Sequence, residues 1–123
     1  MIMNYRKAIE SLYKDTCTII ERQSYTDPIT KKTAFREVTV NENVPCRLSF
    51  GSVPSTVDGS VAEMVQSVTL FVSSMIDIKP GSKIVVTQKI DGKTVTTNYS
   101  NSGKPAVHTY HQEVSLKLFE RWS

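Results

Sequence analysis

A chain of 123 residues with 39% hydrophobic and 22% charged side chains has the size and make-up of one globular domain, able to bury a core without staples. Its formal charge of +3, from 15 basic and 12 acidic residues, falls short of the concentrated basic stripe of a dedicated nucleic-acid binder. No apolar run reaches the roughly 18–20 residues of a membrane span, and the opening segment lacks the apolar stretch of a secretory signal, so a cytosolic chain is expected.

The first segment reads as a short helix over about residues 4–13. Tyr5, Ala8, Ile9, Leu12 and Tyr13 recur at the spacing of one apolar stripe, with Asn4 placed to cap the first turn. From Thr16 the period becomes that of strands. Cys17 and Ile19 alternate with polar neighbours, and Asp27-Pro28 turns the chain back. A second long strand follows and ends in "VPCRLSF", with Cys46, Leu48 and Phe50 on one face. Beyond residues 51–64, Val68, Leu70 and Val72 share a face. Pro80-Gly81 marks a turn, and Asp91-Gly92 between two β-branched runs is the pair best suited to a type I′ hairpin. The closing strand directs Val114, Leu116 and Leu118 to one side. One short helix with six or seven antiparallel strands predicts a small barrel or sandwich, because closure removes exposed edges. The whole chain, 1–123, forms one domain, with the barrel over about 16–122.

Residues of about 51–64 stand apart. They lie between two clear strands, carry no period and include Gly51, Pro54 and Gly59, so they read as a long loop too polar to order by itself.

Few residues suggest chemistry. His108 and His111 form an H-x-x-H, but three positions apart on a strand they point to opposite faces, so no metal site is expected. "SGKP" lacks the full phosphate-loop pattern, no serine sits in a nucleophile elbow, and the carboxylates are dispersed. Cys17 and Cys46 read as small core residues, with a bridge between neighbouring strands as the alternative. The expectation is a protein that is not an enzyme and uses no cofactor. Lys79, Lys83, Lys89 and Lys93 gather around one turn and one hairpin, which keeps open a single-stranded nucleic-acid-binding barrel acting through Lys83, Lys89 and Lys93. Tyr99 is the aromatic side chain near that hairpin.

The order "PCRLSF", long connection, "VTLFV", "IKPGSKIVVTQ", Asp-Gly hairpin and "SGKPAVHTYHQEVSLKLFERW" resembles the head-closure proteins of tailed bacteriophages and prophages, also called head-completion, stopper or head-to-tail joining proteins. The resemblance runs from about Tyr13 to Trp122. It implies a small β-barrel with a short N-terminal helix and a structural role at the virion neck, assembled in the bacterial cytoplasm. Its own copies would form a ring, of six or twelve, below portal and adaptor proteins and above tail-terminator or tail-completion proteins. The ring would close the channel on packaged double-stranded DNA and carry the tail-docking surface, with no membrane involved. By the same resemblance the channel-gating loop is Gly51, Ser52, Val53, Pro54, Ser55, Thr56, Val57, Asp58, Gly59, Ser60 and Val61. Tyr5, Ile9, Leu12, Phe71 and Phe119 are candidate subunit contacts. A tail-terminator or tube component of the same particle is the nearest alternative.

Overall fold

The structure, a computed structural model, describes residues 5–56 and 62–122; over 52–56 and 62–66 it is the backbone that is described. One helix, α1 (Tyr5–Glu10), precedes seven strands. These are β1 (Asp15–Thr26), β2 (Thr33–Thr56), β3 (Ala62–Ser73), β4 (Lys83–Ile90), β5 (Lys93–Asn101), β6 (Ala106–Val107) and β7 (His111–Leu118). After α1 the helix tightens rather than continues: Leu12 N donates to Ile9 O at 3.1 Å and Tyr13 N to Glu10 O at 3.0 Å, bonds of 3₁₀ type. The expected cap, Asn4, lies outside the described residues.

All strand pairs are antiparallel, and their order closes on itself. β1 pairs with β2, β2 with β3, β3 with β7, β7 with β5, β5 with β4, and β4 with β1. That ring of hydrogen bonds is a barrel, with the short β6 paired to the first residues of β7.

β2 makes the closure possible. Its 24 residues serve two neighbours, pairing with β1 from Thr33 to Cys46 and with β3 from Cys46 onward. Between these two duties its register against β1 slips twice, between Cys17 and Ile19 and between Ile19 and Ile20, and Asn43 takes a left-handed φ of 51°. Extra residues on one strand bend and over-twist it, and Asn tolerates the left-handed region better than most residues.

The barrel is filled by Cys17, Ile19, Val44, Cys46, Leu48, Leu70, Val72, Ile84, Val86, Tyr99, Val114 and Leu116, the inward residues of six strands. Ile78, from the connection between β3 and β4, closes one end, with Ile76 packed against it. The buried Gln112 of β7 holds that connection from within, its Nε2 donating to the carbonyl oxygens of Ser73 and Ile76. Cys17 and Cys46 are both free thiols inside this core. A hydrogen bond with Cys17 and burial push the Cys46 thiol well above its ordinary range.

Local turn chemistry is as the residues predict. Asp91 and Gly92 have φ of 51° and 77°, the two positive values a type I′ turn requires, and Ile90 faces Lys93 across it. Gly81 takes a φ of 81° while Ser82 N donates to Lys79 O at 3.1 Å, closing the Pro-Gly turn. Asp27 accepts from Ile29 N at 2.8 Å and Thr30 N at 3.2 Å, which folds the β1–β2 connection.

One expectation is corrected and two are refined. Phe50 and Leu118 share a face with their strand neighbours as expected, yet they are 51% and 64% exposed, because at those points β2 has β3 alone beside it and β7 has β5 alone. The connection expected as a structureless loop over 51–64 is strand in residues 51–56 and 62–64. The part that joins the two strands, residues 57–61, lies outside the described residues.

Candidate functional site

The paired segment between β2 and β3 is the most distinctive feature of the molecule. β3 meets β7 from Val68↔Leu116 onward, and β2 meets β1 no further than Cys46↔Asp15. Past these points β2 and β3 have only each other among the described residues. Six register pairs, Gly51↔Ser67, Ser52↔Gln66, Val53↔Val65, Pro54↔Met64, Ser55↔Glu63 and Thr56↔Ala62, extend the hairpin as a two-stranded arm. At the usual rise of a strand this arm reaches roughly 20 Å beyond the barrel. Its outer edges carry backbone N–H and C=O groups with no third strand beside them, the arrangement that invites pairing with another chain. Of the residues assigned by resemblance to the gating loop, Gly51 to Thr56 form one strand of this arm, and Val57, Asp58, Gly59, Ser60 and Val61 lie outside the described residues.

Two other ribbons leave the barrel elsewhere, one with six register pairs, as many as the arm, and one shorter. From Glu21↔Val38 to Thr26↔Thr33, β1 and β2 pair without β4, and their faces are braced by Arg22 over the Phe35 ring at 4.1 Å and Arg36 over Tyr25 at 5.3 Å. β4 and β5 make the second ribbon, around Asp91-Gly92.

The helix supplies a different kind of surface. Its apolar stripe does not turn fully into the protein: Tyr5 is 57% and Leu12 66% exposed, with Ile9 half-buried. The Tyr5 ring lies 6.0 Å from that of Tyr110, so the helix sits over the rim where β7 begins. The other two candidate contacts are engaged within the chain. Phe71 lies between the Arg47 guanidinium at 5.7 Å and the His111 ring at 6.2 Å. Phe119 is covered by Lys83 Nζ at 4.8 Å and meets Trp122 edge-on at 5.2 Å, while Trp122 Nε1 donates to Glu37 at 2.8 Å.

Two of the four clustered lysines are engaged within the chain, while Lys89 and Lys93 stand exposed on the hairpin. Lys83 pairs with Glu37 at 3.9 Å as well as with Phe119, and Lys79 pairs with Glu21 at 3.8 Å. Tyr99, the aromatic residue near the hairpin, is buried in the core with its hydroxyl pKa raised by that burial, so it offers no face on which a base could stack. A surface hollow of about 320 Å³ is lined by the Lys79–Glu21 pair, Arg22, Phe35, Ser82 and Trp122.

One expectation about His108 and His111 rested on strand geometry that the chain does not adopt. β6 ends at Val107 and β7 starts at His111, so a turn, not a strand, separates the two histidines. His108 N donates to His111 O at 2.8 Å across it, and the two rings stack with centroids 4.6 Å apart.

No family model and no curated protein matches the chain. Among solved structures it is similar to the phage-like element PBSX protein xkdH from Bacillus subtilis, with a TM-score of 0.52 and 14% sequence identity over 85% of this chain and 93% of that one. At that identity the likeness is one of fold, and it spans nearly the full length of both chains. No helix among the described residues is long and apolar enough to cross a membrane.

Proposed function

We propose that this chain is a non-enzymatic structural protein of a tailed-phage or prophage particle, acting as a head-closure component of the neck. The observation that carries the reading is the arm: a β-hairpin about six register pairs long that leaves the barrel with open backbone edges. A lone subunit gains nothing from such a projection. Copies arranged around an axis can add strand to strand, β2 edge against a neighbour's arm, and close a channel with backbone hydrogen bonds that need no particular side chains. The fold shared with a protein of a phage-like element supports this, as does the resemblance carried by "SGKPAVHTYHQEVSLKLFERW".

In this reading the ring forms by heterologous contact, one face of a barrel against a different face of the next. The exposed stripe of Tyr5 and Leu12 is the apolar part of that contact. Portal and adaptor proteins lie above the ring, tail proteins below, and packaged DNA behind the arms.

The test replaces the arm by a tight turn. Substituting Asn-Gly for Val53–Val65 retains the Ser52↔Gln66 register pair that precedes the excised segment. The expected result is a melting temperature within a few degrees of the parent, since no core residue is removed, together with normal incorporation into particles that then lose their DNA. Particles that keep their DNA as well as those with the full arm overturn the reading.

A further inference from the structure

The turn between β6 and β7 brings together side chains that neither the arm nor the helix surface uses. Register explains how. Ala106 pairs with Glu113 and Val107 with Gln112, so the next residue out, His108, comes opposite His111. Gln112 points into the core, which turns its neighbours His111 and Glu113 outward together, since alternate residues of a strand share a face. His108 falls on that same face, and the small side chain of Ala106 opposite Glu113 leaves room above it.

The resulting cluster is tight. His108 Nε2 lies 2.9 Å from Glu113 Oε2, the two imidazole rings are inclined by only 20°, and the ligand atoms of His108, His111 and Glu113 all fall within 4.8 Å of one another. Phe71 stacks against His111 and stands opposite Glu113 in the β3–β7 register, so it flanks the cluster on the β3 side of the same face. The outer side is open, with the His108 side chain half exposed.

We propose that His108, His111 and Glu113 form a binding site for a divalent first-row transition ion of the zinc class. Two imidazole nitrogens and one carboxylate oxygen are the donor set that Zn²⁺ accepts in three-ligand sites, with water in the fourth position. Neither Ca²⁺ nor Mg²⁺ suits it, because both require shells built from oxygen. Bonds of about 2.0–2.2 Å in a tetrahedron place ligand atoms about 3.4 Å apart. Binding therefore requires the two rings to turn out of their near-parallel stack so that their in-plane nitrogen lone pairs converge on the ion, with the ligand atoms drawn in from a spread of up to 4.8 Å. Bound there, the ion ties the short β6 to the start of β7 and fixes the turn that carries Tyr110 against Tyr5. The site rests on strand register and stands independently of the proposed role in the neck.

The experiment uses the full, untagged chain freed of metal with a chelator. Co²⁺ titration followed by visible absorption, then displacement by Zn²⁺ in a calorimeter, should show one saturable site per chain with the intense bands of tetrahedral cobalt. Loss of an outer-shell partner already weakens metal sites about 10–100-fold, so His108→Ala and His111→Ala should each weaken binding by at least about tenfold. Circular dichroism and thermal melting establish that the variants fold, and Lys104→Ala, on the preceding loop, should bind as the parent does. Absence of a saturable site, or an affinity unchanged in both folded histidine variants, overturns the proposal.

Discussion

At the scale of single residues, the interior is built to keep polar and reactive groups quiet. Gln112 is buried among aliphatic side chains, yet its amide donates to two carbonyl oxygens of the β3–β4 connection, so its burial leaves no donor stranded and anchors a segment without regular structure. Cys17 and Cys46 face the same core. A thiol whose pKa is raised by a hydrogen bond and burial is a poor nucleophile, because the thiolate is the reacting form. Both thiols are also almost wholly buried, so they should resist DTNB in the native protein and react at once in guanidinium. Fast labelling of the native chain would mean that the β1–β2 wall opens readily. The sign of the pH effect follows: the folded thiol stays neutral while the unfolded one ionises, so this contribution to stability is full below the ordinary thiol pKa of 9.0 and declines as pH rises beyond it.

At the scale of elements, turns and ribbons divide the work. The Asp91-Gly92 hairpin depends on backbone conformation and not on packing, for a Cβ at Gly92 meets nothing within 4 Å, yet its φ is +77°. Gly92→Ala should accordingly cost about 1–2 kcal/mol in urea denaturation through the left-handed penalty alone, with the hairpin's outward position sparing the core. The β2–β3 arm is the opposite case. Two strands without a third are marginal by themselves in water, and this arm is held in register by the barrel pairs Phe50↔Val68 and Leu48↔Leu70 at its root. A hairpin anchored at one end and open along its edges is stable enough to project and incomplete enough to accept a partner.

At the scale of the whole molecule, closure of six strands into a ring hides the sheet edges within the barrel, and the edges that remain lie on the arm and the ribbons. Exposed apolar side chains are spread over the surface, from Ile29 and Phe35 to Met75, Val107 and Leu118, and at the N-terminal end they include Tyr5 in the helix and Leu12 just after it, the latter two-thirds exposed. Substitution of an exposed residue usually changes stability by less than about 0.5 kcal/mol. Leu12→Ser should therefore leave the urea midpoint of the isolated chain unchanged while weakening its recruitment into assembled necks. Equal recruitment of the variant, scored by particle composition, would remove the helix from the interface.

Where a feature follows from a local rule, the residues alone determined it. Asp91-Gly92, Pro80-Gly81 and the alternation of Cys17 with Ile19 or Val114 with Leu116 each declare themselves, since turn chemistry and a buried face imprint a pattern over a few positions. The arm left no such imprint: its two strands pair beyond the reach of β1 and β7, where no barrel core selects an alternation, and Gly51 and Pro54 read as breakers although the structure pairs residues 51–56 with 62–67. The barrel's extent likewise decided that Phe50 and Leu118 stay outside although they keep the parity of core residues. The meeting of His108, His111 and Glu113 depended on a turn that cancels strand parity, and only the register of β6 against β7 brings it about. Parity is a property of neighbours in the chain, whereas burial and convergence are properties of where the barrel wall ends.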